Sequence, residues 1–159
     1  MGWLTGLRAT PRDVMMLGLA GLVPFLLLAV AGRWLDEERA TLALHGLIAY
    51  GAVILSFVGA LQWAFVMQGP ITDFDRSLHL FWSVCPALIG WVALQLSPRP
   101  AIALLMLGYA VQLVMDFFLA RILKDWLQAY FVPLRVVLTL IVLALLWLGL
   151  PGFTLPPGP

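Results

Sequence analysis

Five long apolar runs, parted by short charged clusters, leave this chain few folds to choose from. A transmembrane helix needs about 17–25 mainly apolar residues to cross roughly 30 Å of hydrocarbon. Backbone in lipid must satisfy its own hydrogen bonds, which leaves helices or closed barrels. Runs of helix length therefore predict an all-α, polytopic integral membrane protein: a bundle of five transmembrane helices forming one domain over residues 1–159. The helices are expected at about 14–32, 40–67, 78–96, 100–123 and 128–148, with a non-helical proline-rich tail at 151–159. Composition supports this class, since 63% of residues are hydrophobic and 11% are charged. Soluble domains carry about 25% charged residues, so too few are present to cover a water-facing surface.

The punctuation between the runs is equally plain. A small-residue sequence, Ala29-Val30-Ala31, follows a basic start and resembles a signal-peptide cleavage site. The preceding apolar run is longer than the usual h-region of about 7–15 residues, and a retained helix is expected. Asp36-Glu37-Glu38-Arg39 opens the second helix and Gly69-Pro70 closes it. Cys85-Pro86 predicts a kink in the third helix, while Pro133 falls in the first turns of the fifth, where proline is tolerated. Ser97-Pro98-Arg99-Pro100 fits only a tight turn between antiparallel helices.

Basic residues set the expected orientation, because they collect on the cytoplasmic side. With the N-terminus inside, Arg8, Arg12, Arg76, Arg121, Lys124 and Arg135 lie inside, and Arg33, Arg39 and Arg99 outside. The expectation is a multi-pass protein of a bacterial inner (cytoplasmic) membrane, N-terminus in and C-terminus out.

Within the second helix, Ala49, Ala52, Ser56, Gly59 and Ala60 share a face at about 100° per residue. His45 and Trp63 close its two ends, and Leu55 falls off it. Small side chains let helix backbones approach closely in lipid, so this face is the expected packing hub.

Ionisable residues inside a membrane cost about 2.5–3.5 kcal/mol on insertion scales and are functional candidates by default. On the fourth helix Gly108, Tyr109, Gln112 and Asp116 share a face. Arg121 projects to the other side, which makes Arg135 the better partner for Asp116. Gln62, His79 and Ser83 fall at similar depth, so Gln62, His79, Ser83, Gln112, Asp116 and Arg135 form a candidate intramembrane polar cluster. It reads either as interhelical glue, at about 0.6 kcal/mol per hydrogen bond, or as an inward-facing pocket.

Other chemistry is not indicated. His45 and His79 approach opposite ends of the bundle and cannot share a haem or metal, and Cys85 is the single thiol. No cofactor, metal site or catalytic residue is expected. Asp73 and Asp75 read as solvated loop charges. A net charge of +1 gives no field for nucleic acid.

The run Tyr50-Gly51-Ala52-Val53-Ile54-Leu55-Ser56-Phe57-Val58-Gly59-Ala60, followed by Trp63, resembles the signature of a membrane-protein family known as domain of unknown function 3429, the transmembrane protein 69 family. Gly18 to Phe25, Ser83-Val84-Cys85-Pro86 with Gly90-Trp91, Tyr130, Leu134-Arg135 and Leu138-Thr139 fit the same pattern, as does an acidic residue at Asp116. Gly59-Ala60 stands where relatives often carry Gly-Gly, and Gln62 where a basic residue is common. The resemblance implies a bacterial inner-membrane or mitochondrial protein, without implying a reaction.

Two functions follow as expectations. The first is a non-enzymatic accessory or assembly subunit, in contact with the lipid bilayer and with a membrane-protein partner or a second copy of itself. The alternative is a carrier or binding protein for a small molecule, lipid or proton, with its pocket around Asp116 and Arg135.

Overall fold

The computed structural model describes residues 2–150, and the tail at 151–159 lies outside them. Seven helices run in order: α1 (Gly2–Arg8), α2 (Arg12–Ala20), α3 (Val23–Trp34), α4 (Glu37–Gln68), α5 (Asp73–Ala93), α6 (Pro98–Ile122) and α7 (Phe131–Leu148). No strand occurs among the described residues. Four segments are long and apolar enough to cross a membrane: α2 with α3 as one span, α4, α6 and α7. The sequence predicts five. The fifth, α5, has 21 residues but carries Asp73, Asp75, Arg76, His79 and Ser83, which lower its hydropathy.

Local chemistry explains the boundaries. Asp36 caps α4 by accepting a hydrogen bond from the Arg39 amide at 3.0 Å, and Glu37 and Glu38 complement the positive end of the helix. The helix accordingly starts before the expected Ala40. Thr72 caps α5, its hydroxyl oxygen accepting from the Asp75 amide at 3.4 Å and donating to Asp75 Oδ2 at 2.6 Å, and Pro98 starts α6 where its missing N–H costs nothing. The single first helix of the sequence reading is two helices. Pro24 has no N–H to offer the Ala20 carbonyl, and the ladder is interrupted at Gly21 and Leu22 although both stay right-handed helical in conformation. Tyr50 of α4 donates its hydroxyl to the Gly21 carbonyl at 3.0 Å, satisfying backbone at the break. Pro86 does not divide α5 in the same way.

The long helix α4 is the centre of the bundle, packed against α3, α5 and α6, and α7 lies against α3 and α6. Phe25, Leu47, Leu55, Ile102, Leu105 and Leu146 belong to the larger apolar core. Val66, Ile71, Leu119 and Leu123 form a smaller one further along. In lipid such layers gain from close fit rather than from escaping water.

The buried side of α4 is rotated from the expected small-residue face. Ala52 and Gly59 are buried, Ala49 and Ser56 are half-buried, and Ala60 is exposed. Leu55, expected off the face, is fully buried. His45 and Trp63 are both exposed. Two features explain the rotation. Three neighbouring helices cover a broader arc than one stripe, and the small residues that permit close approach lie on both sides of each contact. A Cβ on Gly108 of α6 would stand 2.7 Å from Leu55 Cδ2, so that glycine is the hole into which Leu55 fits. At the α4–α5 crossing the roles reverse, and a Cβ on Gly59 would stand 2.5 Å from Pro86 Cγ.

Gly59→Leu should therefore disrupt the bundle, whereas Ala60→Leu, one residue on and exposed, should shift thermal stability in detergent little. Leu55→Ala should cost about 2–5 kcal/mol. Equal thermal shifts for the Gly59 and Ala60 variants would contradict the packing described.

Candidate functional site

Between the two apolar cores lies a polar layer, built from one or two residues of each of four helices. Asp116 of α6 is 2% exposed. Its Oδ2 accepts from Arg135 Nε of α7 at 2.7 Å. Its Oδ1 accepts from Gln112 Nε2, one turn earlier on α6, at 2.9 Å. The same oxygen accepts from Gln62 Nε2 of α4 at 3.2 Å. Three donors, one of them a guanidinium, thus share the two oxygens of one carboxylate. An uncompensated charge at such a position would be far more expensive than the pair.

Both glutamines are used at both ends. Gln112 Oε1 accepts from the Trp82 indole of α5 at 2.9 Å. Gln62 Oε1 lies 3.0 Å from His79 Nδ1 of α5. The layer thus links α4, α5, α6 and α7 through a single carboxylate. Gln62, His79 and Gln112 are each no more than 1% exposed.

Of the six residues expected to cluster, five are joined by hydrogen bonds. Ser83 is buried nearby but turns its hydroxyl to the Leu80 carbonyl of its own helix, at 2.6 Å. Arg121 is exposed. Trp82 takes part although it was not expected to. Its signal is the spacing on α5, where Trp82 lies three residues after His79 and so on an adjoining face. Thr139, one turn beyond Arg135 on α7, is also buried. Tyr109 extends the polar contacts toward the larger core, donating to the Gly51 carbonyl at 2.8 Å.

Among the described residues, the hydrogen bonds to the carboxylate come from amide and guanidinium nitrogens. Among the described residues no group of three or more His, Cys, Asp or Glu could hold a metal ion. His45 lies exposed near the opposite end of α4, its Nδ1 3.0 Å from the Thr41 carbonyl of the preceding turn.

Spanning helices joined by short turns around a buried ion-pair layer define a polytopic helical membrane protein. The chain belongs to the family described as protein of unknown function (DUF3429), whose profile matches residues 10–151. It is similar to transmembrane protein 69 of Xenopus tropicalis, 32% identical over 144 residues, which cover 87% of this chain and 53% of that one. Transmembrane protein 69 of Mus musculus is 31% identical over 144 residues, covering 87% of this chain and 55% of its own. The chain thus spans about half the length of these curated relatives. No solved structure matches it.

Removing one member of the ion pair should harm folding more than removing both. Asp116→Asn and Arg135→Gln should each cost about 3–5 kcal/mol, and the double variant should recover part of that loss. Folded protein recovered in mild detergent for the four members of the cycle provides the measurement. Strict additivity would mean that the two side chains do not stabilise one another.

Proposed function

We propose that this protein is a non-enzymatic accessory or assembly subunit that binds other membrane proteins. The observation that carries this reading is how its polar and apolar side chains are divided. The intramembrane polar groups bond mainly to one another, whereas large apolar side chains point out of the bundle on α5. Phe81 is 73% exposed and Trp91 63%; Val84 and Leu88 are exposed between them. In lipid, well-fitted aromatic and aliphatic surface of this kind can associate with another helix through packing.

The same proposal includes α5 as a fifth crossing. Its 21 residues span about 31 Å at 1.5 Å per residue, and its most polar side chains, His79 and Ser83, turn inward. On this reading the N-terminus lies inside and the C-terminus outside a bacterial inner membrane, a reading that the division of the basic residues supports. The carrier reading draws its support from the buried Arg135 Nη2, which has no hydrogen-bond partner. Against it weighs the use of Gln62, Gln112 and Asp116 in internal bonds.

A photo-crosslinking residue placed at Phe81 or Trp91 in living cells should give discrete protein adducts. The same residue at Leu17 of α2 should give lipid adducts only. Lipid adducts at all three positions would remove the accessory reading. Reporter fusions at the two termini should localise to opposite sides of the membrane, and a shared side would remove the fifth crossing.

A further inference from the structure

Helix α1 gives one end of the bundle a shape that the polar layer does not require. It has seven residues and packs against α7. Gly6 is buried, and a Cβ on it would stand 2.9 Å from the Ala129 carbonyl oxygen and 3.1 Å from Pro133 Cγ. Farther along, a Cβ on Gly18 of α2 would stand 3.1 Å from Leu138 Cδ1, and Arg33 of α3 donates to the Leu148 carbonyl. These contacts make the first span and α7 run parallel. Arg12, six residues before Gly18, therefore falls about level with Val132, at the depth of Gly6. So α1 turns back across the start of α7 instead of extending α2, as an interfacial helix lies in the plane of a membrane surface.

Arg8 closes α1 and Arg12 opens α2. Arg121 and Lys124 stand where α6 passes into its link to α7, with Trp126 exposed beside them. All four basic residues are exposed, and among the described residues none of them forms an ion pair. Asp13 and Asp125 accompany them, which leaves this part of the surface at +2. Asp73, Asp75 and Arg76 at the start of α5 leave −1, but α5 packs against α4 and α6, whereas α1 and α2 pack against α7. The opposite end differs in kind. Its three basic and three acidic residues cancel, Arg33 is bonded to Leu148, and Arg39 is paired with Asp36 at 3.5 Å.

We infer that α1, the start of α2 and the α6–α7 link form a binding surface for anionic phospholipid headgroups in the leaflet at this end. Guanidinium and ammonium groups are the natural partners of lipid phosphate, and basic residues close to a membrane surface favour an anionic leaflet. A zwitterionic headgroup carries its own cation beside the phosphate and gains less. The docking of α1 through Gly6 is what holds Arg8 and Arg12 at headgroup depth beside the α6–α7 link. This surface lies apart from the exposed side of α5 and does not rest on the accessory reading.

The test is electron spin resonance of the full chain in phosphatidylcholine bilayers containing a trace of spin-labelled phosphatidylglycerol or spin-labelled phosphatidylcholine, since lipid held at the protein gives a motionally restricted signal. At low salt the anionic label should associate about fivefold more strongly than the zwitterionic one. Salt at about 1 M, where the screening length is about 3 Å, should remove most of that difference. Arg8→Gln combined with Arg12→Gln should reduce the ratio to about twofold or less, with helical circular dichroism unchanged, while Arg39→Gln at the other end should leave it as it was. Gly6→Leu keeps every charge but displaces α1 from Ala129 and Pro133, and should lower the ratio too. Millimolar inorganic phosphate should not displace the lipid. Equal association of the two labels, a ratio that survives the paired arginine substitutions, a ratio unmoved by Gly6→Leu, or displacement by inorganic phosphate would each overturn the proposal.

Discussion

The carboxylate of Asp116 is the group on which the rest of the bundle depends. Lipid offers buried helices no hydrophobic drive to associate laterally, so their register must come from shape and from directional bonds. One carboxylate with donors from α4, α6 and α7 supplies such direction. The second ends of the two glutamines then bring in α5 through Trp82 and His79. Sliding any of the four helices by a residue would leave a charge or an amide unpaired in a medium that cannot solvate it.

Shape provides the complementary constraint. On the side of the polar layer that faces the larger core, the helices fit by exchanging bulk for absence of bulk, Leu55 over Gly108 and Pro86 over Gly59. Gly59 lies only three residues from Gln62 on α4, and Pro86 only four from Trp82 on α5. This close α4–α5 contact and the polar layer are therefore neighbours on both helices. Close approach keeps the side-chain bonds short, and the bonds hold the helices at the crossing that the glycine permits.

Much of this is legible in the sequence, for identifiable reasons. The helical membrane class follows from run length and charge scarcity, which report directly on the solvent. The meeting of Asp116 and Arg135 follows from depth, since each lies several residues inside its helix on the same side. The buried face of α4 does not follow. A small residue marks close approach but not which helix supplies the knob, and Leu55 is buried because Gly108 lies on a different helix. Trp82 is missed, although it lies three residues after His79, because the partner of its N–H, Gln112, lies on another helix. The break before Pro24 has a local cause in the proline, but the Tyr50 hydroxyl that satisfies the Gly21 carbonyl lies 29 residues from it in sequence, and no local pattern announces such a partner.

The length of α4 sets a relation between this protein and the membrane that holds it. Its 32 residues extend about 48 Å at 1.5 Å per residue, against roughly 30 Å of hydrocarbon. The excess is taken up by tilt, by ends that stand among the headgroups, or by both. Tilt is the ordinary response to such excess length, and it deepens as the bilayer thins. Because α4 is gripped by α5 at Gly59 and by α6 at Leu55, it cannot lean alone, and the whole bundle tips with it. Any tilt that the bilayer draws from α4 is therefore shared by the entire molecule.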